Sequence, residues 1–271
     1  MRYKNCLFDL YGTLVDIHTD ERSPQLWVEM GDWYRKHGAD YAPGDLRDAY
    51  FRTVRQMEGG AALLRSDAHE AHPEIRLELA FQRLFQAKGV DAGLDVAVHT
   101  GRRFRMGSLD YIRLYDGAAE LLSALRANGQ GVWLLSNAQR IFTAYELHTL
   151  GIEALFNGIY LSSDYGCKKP DRRFFEPLLK EQGIAPESAI MIGNDGVCDI
   201  EGARAVGLST IYIRSNLSPC EPLPSADYVL EKMDLRMVLE ILRESDTPHS
   251  RSWPVKKACF PSQESDPVSE S

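Results

Sequence analysis

Four short stretches of this chain each close an apolar run with side chains able to do chemistry. Asn5-Cys6-Leu7-Phe8 delivers a single carboxylate, Asp9, where a strand should end and a tight turn containing Gly12 begins. Leu134-Leu135 runs into Ser136-Asn137, and Gly158-Ile159-Tyr160-Leu161 is followed, after a short loop, by Lys168-Lys169-Pro170-Asp171. Ile190-Met191-Ile192 runs into Gly193-Asn194-Asp195, with Asp199 four residues further on. In an α/β sheet, ligands bind in the crevice beyond the carboxyl ends of the strands, so Asp9 is the first candidate for chemistry. Lys169 would add a cation there, and Asp195 and Asp199 would add two further carboxylates. Each stretch also has a plainer reading. Asp9 and Ser136-Asn137 can make turns, Lys169-Pro170 can open a helix, and Asp199 can cap the helix that starts near Ile200. The ordered recurrence at strand ends favours one shared site.

Asp9-Leu10-Tyr11-Gly12-Thr13-Leu14 after a hydrophobic strand resembles the nucleophile loop of the haloacid dehalogenase-like hydrolase superfamily. The resemblance implies an aspartyl nucleophile at Asp9 that attacks phosphorus and forms a phosphoaspartate, splitting one hard step into two easier ones. It assigns Thr13, Ser136, Asn137 and Lys169 to binding the transferring group. A cation at Lys169 answers the repulsion between an attacking carboxylate and a phosphate, and the extra charge of the transition state. It also implies Mg²⁺ held by Asp9, the backbone carbonyl of Tyr11, Asn194, Asp195 and Asp199.

Two positions depart from the family pattern. Most phosphatases of the superfamily have a second Asp two residues after the first, as general acid and then base; here Tyr11 stands there. A phenol, with an ordinary pKa of about 10, can donate a proton at neutral pH but is a poor base. The first acid of the usual Gly-Asp pattern in the fourth motif is Asn194, with the carboxylate one place later at Asp195.

These residues need a sheet to position them. From Asp16 to about Asp110 the apolar spacing is three and four, as in Leu26, Met30, Trp33, Tyr34, then Leu46, Tyr50, Val54, Met57, and again Leu77, Phe81, Leu84, Phe85. Breaks are expected at Lys36-His37-Gly38, Glu58-Gly59-Gly60 and Lys88-Gly89-Val90. By the resemblance this is a helical cap, residues 16–110, that closes over the site and selects the substrate. Its aromatic residues Trp27, Trp33, Tyr34, Phe51, Phe81 and Phe85 read as bundle core. Arg55, Arg65, His69 and His72 are polar residues that could face a substrate. Residues 111–244 then alternate buried strands with helices, which with residues 1–15 predicts a doubly wound parallel α/β sheet, a Rossmann-like core. From residue 245 to 271 Ser, Pro, Glu and Asp dominate, a composition expected to be disordered, with Trp253 and Phe260 as incidental aromatics.

The chain has 271 residues, 44% hydrophobic and 26% charged, with a formal net charge of −8, which fits a soluble globular protein and argues against nucleic acid or an anionic membrane as main partner. The N-terminal residues lack a signal-peptide apolar core and no run approaches membrane-spanning length, so a cytoplasmic location is expected. Cys6, Cys167, Cys198, Cys220 and Cys259 are scattered and read as reduced.

Three activities compete. The leading one is a magnesium-dependent phosphohydrolase acting on a small phosphorylated metabolite. Tyr11 also fits the 2-haloacid dehalogenases, but those tend to have Ser-Ser-Asn where this chain has Gly193-Asn194-Asp195, and a Tyr where it has Phe175. Clustered carboxylates without a cation would also repel a haloacid. The third is a catalytically weak member that binds a phosphorylated ligand or a protein.

Overall fold

The computed structural model describes residues 2–63, 72–220 and 222–244. In chain order they form β1 (Asn5–Phe8), β2 (Val15–Thr19), α1 (Pro24–Lys36), α2 (Pro43–Leu63), α3 (Leu77–Gln86), α4 (Leu94–Ser108) and β3 (Leu109–Leu114). There follow α5 (Ala118–Ala127), β4 (Gly131–Ser136), α6 (Arg140–Thr149), β5 (Gly158–Leu161), α7 (Ser162–Tyr165), α8 (Arg172–Glu181) and β6 (Ala189–Gly193). The last elements are α9 (Gly202–Ala205), β7 (Ser209–Ile213), β8 (Tyr228–Leu230) and α10 (Leu235–Glu244).

Six strands form one parallel sheet in the order β5-β4-β1-β6-β7-β8. The strands that looked continuously apolar are buried because helices cover both sheet faces, as all-parallel sheets require. Cys6, Phe8, Val132, Leu134, Ile190 and Ile192 fill one side with α5 and α10; Leu7, Trp133, Leu135 and Met191 fill the other with α8. After β1 the chain builds outward through β4 and β5, then returns to β1's other side as β6, so β1 is the strand at which the winding reverses. Phe8 stands beside Leu134 on one side and Ile192 on the other, so Asp9 emerges level with the ends of both neighbours.

Helices α1–α4 share a separate core. Trp27 packs on Tyr50 and Phe104 at centroid distances of 5.5 and 5.7 Å, and Tyr34 stacks on Phe85 at 4.2 Å. Such pairs contribute about 0.5–1.5 kcal/mol each beyond burial. Trp27, Tyr34, Phe81 and Phe85 are buried, whereas Trp33 and Phe51 lie at the edge of the cluster. Ile141 and Phe142 of α6 belong to the same cluster, which fastens the helices to the sheet domain.

Three expectations need correction. The helical stretch does not begin at Asp16: Val15–Thr19 pairs antiparallel with Leu109–Leu114 as a two-stranded ribbon that carries the chain out to the helices and back. Val15, Ile17 and Thr19 alternate with Asp16 and His18 at the strand period of two, and a partner strand satisfies their backbone groups. Gly59-Gly60 does not break α2, which continues to Leu63; a glycine in a helix costs about 1 kcal/mol and can be tolerated. The helix expected from about Ile200 begins earlier, as a π-helical turn over Gly196–Glu201 that leads into α9. Among the described residues, Cys6, Cys198 and Cys220 are free thiols. Arg65, His69, Cys259 and the stretch 245–271 with Trp253 and Phe260 lie outside the described residues. No described helix is long and apolar enough to cross a membrane.

Candidate active site

The turn after β1 is wound tightly, with the amides of Thr13, Leu14 and Val15 all donating to the Leu10 carbonyl at 3.2, 2.8 and 2.9 Å. Gly12 sits at φ +84°, and a Cβ there would lie 2.3 Å from Nδ2 of Asn194, so the position needs glycine for both conformation and approach. The Asp9 amide donates to the Ile192 carbonyl of β6 at 3.0 Å, which fixes the carboxylate over the strand ends.

Asp9 is buried, and its Oδ1 accepts hydrogen bonds from Lys169 Nζ at 2.7 Å and Ser136 Oγ at 3.1 Å. Lys169 is buried and donates all three ammonium protons: to Asp9 Oδ1, to Asp199 Oδ1 at 2.6 Å, and to the Leu135 carbonyl at 2.8 Å. Burial alone would lower its pKa, but the facing Asp199 and Asp9 carboxylates outweigh that and hold it above the ordinary lysine value. Burial pushes the Asp199 carboxyl up, against the downward pull of Lys169.

The two acids of the last motif divide their work in a way that spacing did not reveal. Asp195, not Asp199, is the cap: its Oδ1 accepts from the amides of Val197 and Cys198 at 2.9 and 2.8 Å. Asp199 faces Lys169 with Oδ1 and accepts the Asp195 amide on Oδ2 at 3.0 Å. The π-helical turn and α9 reach this position because Gly202 meets the chain beside Lys169. A Cβ on Gly202 would lie 2.9 Å from Pro170 Cα and 3.0 Å from Phe175. Gly202→Ala is therefore expected to cost about 1–3 kcal/mol in a urea melt. It should also lower turnover by displacing Lys169; an unchanged melt and an unchanged rate would refute this packing account.

Asp9, Tyr11, Ser136, Asn137, Lys169, Asn194, Asp195 and Asp199 line one pocket of about 190 Å³. Thr13 does not. Its hydroxyl is fully buried and donates to Asn194 Oδ1 at 3.2 Å, so it braces the loop rather than offering a donor to a ligand. Asn137 lines the pocket, but its amide clasps the Lys169 backbone from both ends, Nδ2 to the carbonyl at 3.0 Å and Oδ1 from the amide at 2.7 Å.

Tyr11 also lines the pocket, yet its hydroxyl donates to Glu146 Oε2 and lies 2.9 Å from Thr143 Oγ1, both on α6. Arg105 of α4 closes the group, with Nε 2.6 Å from Glu146 Oε1 and its guanidinium 5.7 Å from the Tyr11 ring centroid. Burial, reinforced by Glu146, pushes the Tyr11 phenol well above its ordinary pKa. Sequence reasoning missed Glu146 and Arg105; they lie 135 and 94 residues from Tyr11, and no spacing rule connects them. It also missed Cys198, Leu217 and Pro219, which complete the pocket wall. Of the polar insert residues, Arg55 lines a different pocket, and the backbone of His72 joins the Lys169 loop, its carbonyl accepting the Lys168 amide at 2.9 Å.

Among the described residues no three His, Cys, Asp or Glu side chains stand together at metal-binding geometry. Mg²⁺ does not need such a cage; it is held by one or two carboxylates, with water and substrate phosphate as the remaining ligands. The Asp9, Asp195 and Asp199 carboxylates and the Asn194 amide are hard oxygen donors among the residues that line this pocket, and that donor chemistry fits Mg²⁺.

Fold and site together define an α/β enzyme whose nucleophile candidate, a lysine-held carboxylate, crowns the strand where the winding reverses. Residues 3–207 match the haloacid dehalogenase-like hydrolase family, and the chain belongs to it; it is a hydrolase. It is 29% identical to a phosphoserine phosphatase of Thermus thermophilus, over 71% of this chain and 79% of that protein. It is 28% identical to a glyceraldehyde 3-phosphate phosphatase of Pyrococcus furiosus, over 90% and 95%. The crystal structure of the HAD-hydrolase YfnB from Bacillus subtilis bound to magnesium superposes with a TM-score of 0.52, at 20% identity, covering 90% of this chain and all of that one.

Proposed function

We propose that this protein is a magnesium-dependent phosphohydrolase acting on a small phosphorylated metabolite through a covalent phosphoaspartate on Asp9. The observation that carries the reading is the Asp9 carboxylate, gripped on Oδ1 by Lys169 and Ser136 in a pocket that also presents Asn194, Asp195 and Asp199. With Oδ1 held, Oδ2 attacks phosphorus, and the ester P–O bond breaks with its electron pair leaving on the alcohol oxygen. Water then attacks the phosphoaspartate, releasing inorganic phosphate and restoring the carboxylate. Bound among these oxygens, Mg²⁺ would neutralise charge on the phosphoryl group and orient it for in-line attack. Lys169 opposes the repulsion between Asp9 and an incoming phosphate, and the Asn137 clasp on its backbone keeps it in place. The similarity to phosphatases of two different substrates supports phosphoryl chemistry and leaves the substrate to the insert. The dehalogenase reading loses ground at Phe175, which is fully buried in the core and presents no hydroxyl to the pocket.

The test is phosphate release from a panel of phosphorylated metabolites, with Mg²⁺ and with excess chelator. Release from at least one substrate that chelator abolishes and Mg²⁺ restores is expected; release of halide from 2-haloacids without phosphate release would overturn the reading.

Because the Tyr11 proton is held by Glu146, no side-chain acid at this position serves the leaving group. Substrates with good leaving groups, such as acyl phosphates, should therefore turn over best. Tyr11→Asp is expected to raise kcat/KM for an alkyl phosphate relative to p-nitrophenyl phosphate by roughly 10²-fold, the lower range for general acid catalysis. An unchanged ratio in a folded variant would show that leaving-group protonation does not limit this enzyme.

A further inference from the structure

The helical insert carries a second pocket, of about 470 Å³, lined by Arg22, Arg47, Asp48, Phe51, Arg52 and Arg55. It shares no lining residue with the Asp9 pocket. We propose that it is a binding site for a compact polyphosphate-type anion, a ligand with two or three linked phosphoryl groups. The proposal does not depend on what Asp9 catalyses.

Arg47, Phe51 and Arg55 follow one another at intervals of four along α2, so they form one stripe on that helix, with Arg52 beside it. Arg47 and Arg55 are thus about 12 Å apart along the helix axis, a separation that long side chains can close around a small ligand. Arg22 enters from the loop between β2 and α1 and lays its guanidinium over the Phe51 ring at 5.2 Å from the centroid. Neither element is loose at this point: the Arg22 amide donates to Asp20 Oδ1 at 2.9 Å, and Phe51 packs against Trp27 at 6.0 Å.

The charges are what call for a ligand. Four arginines meet one aspartate in the pocket wall, a local excess of positive charge on a chain whose formal net charge is −8. Asp48 is taken by Arg47, with contacts of 3.0 Å from Nε and Nη2. Among the described residues, Arg22, Arg52 and Arg55 have no carboxylate within ion-pair distance, in contrast to Arg35, Arg76, Arg105, Arg113, Arg140 and Arg173. Like charges gathered in a concave wall concentrate positive potential and draw anions to it. Planar guanidiniums favour phosphoryl oxygens over other acceptors, because each fork can donate two parallel hydrogen bonds. A monoanion would leave most of that charge unanswered, whereas a di- or triphosphate group matches it.

The experiment titrates tripolyphosphate into the full chain carrying Asp9→Asn, in chelator and low salt, by isothermal calorimetry. One saturable site is expected. Arg52→Gln/Arg55→Gln should weaken it at least tenfold, and Arg22→Gln, on a different element, at least threefold, with ligand-free melting temperatures unchanged. Raising salt from 50 to 200 mM should weaken binding in the parent and have a smaller effect in the double variant. Absence of saturable binding at millimolar tripolyphosphate would overturn the proposal. Binding that is the same in parent and double variant would overturn it as well, by placing the anion elsewhere.

Discussion

Asp9→Asn is expected to lower steady-state phosphate release by roughly 10⁴-fold or more, in the range seen when a catalytic nucleophile is removed. The substitution is nearly isosteric, and an amide oxygen can still accept from Lys169 and Ser136, so the surrounding loops have no reason to move. What disappears is the anionic oxygen that forms the bond to phosphorus. Because the fault lies in the chemical step, binding should survive. The variant should still bind inorganic phosphate in the presence of Mg²⁺, and rapid-quench experiments should show no phosphorylated enzyme where the wild type accumulates it. Substantial turnover in the folded variant would remove Asp9 as nucleophile. The Lys169 loop would then remain only as a binding platform.

Lys169→Met is expected to damage stability and rate together. The ammonium stands between two buried carboxylates, Asp9 and Asp199, and is the cation that both contact in the described structure. Removing one partner of a buried ion pair leaves charge uncompensated at a cost of about 3–5 kcal/mol. The loss should show as a fall in the urea midpoint without a change in slope. Turnover should drop by roughly 10²–10³-fold, the scale for deleting one group that stabilises developing charge. A double-mutant cycle separates the electrostatic account from simple loss of packing. In Lys169→Met/Asp199→Asn one of the two opposed charges is gone, so the double variant should recover part of the stability lost in the single one. Strict additivity, with no recovery, would show that the cost of Lys169→Met is packing and not repulsion between Asp9 and Asp199.

The Tyr11 group links the two structural layers. Its hydroxyl joins the nucleophile loop to α6, and Arg105 joins both to the helical insert. A pocket residue is thereby tied to the helical insert.

The sequence by itself determined the sheet and part of the candidate site's roster, without Glu146, Arg105, Cys198, Leu217 and Pro219. Strands buried on both faces must be continuous apolar runs, so β1, β4, β6 and β7 could be read from composition over a few residues. Once those strands and β5 are placed, the residues at and beyond their carboxyl ends gather at one edge, and Asp9, Ser136, Lys169 and Asp199 come with them. Only the tertiary structure decided the roles within that roster. Asp195 and Asp199 are alike in sequence, but one finds free amides at the start of a helical turn and the other a buried ammonium. Asn137 and Thr13 look like ligand donors until Lys169 and Asn194 take their hydrogen bonds. Tyr11 meets Glu146 and Arg105 only after the chain has folded, and the ribbon of β2 and β3 likewise joins segments about 95 residues apart. Local pattern records how a residue is buried. Which partner claims its hydrogen bonds depends on segments distant in the chain, and only packing brings those together.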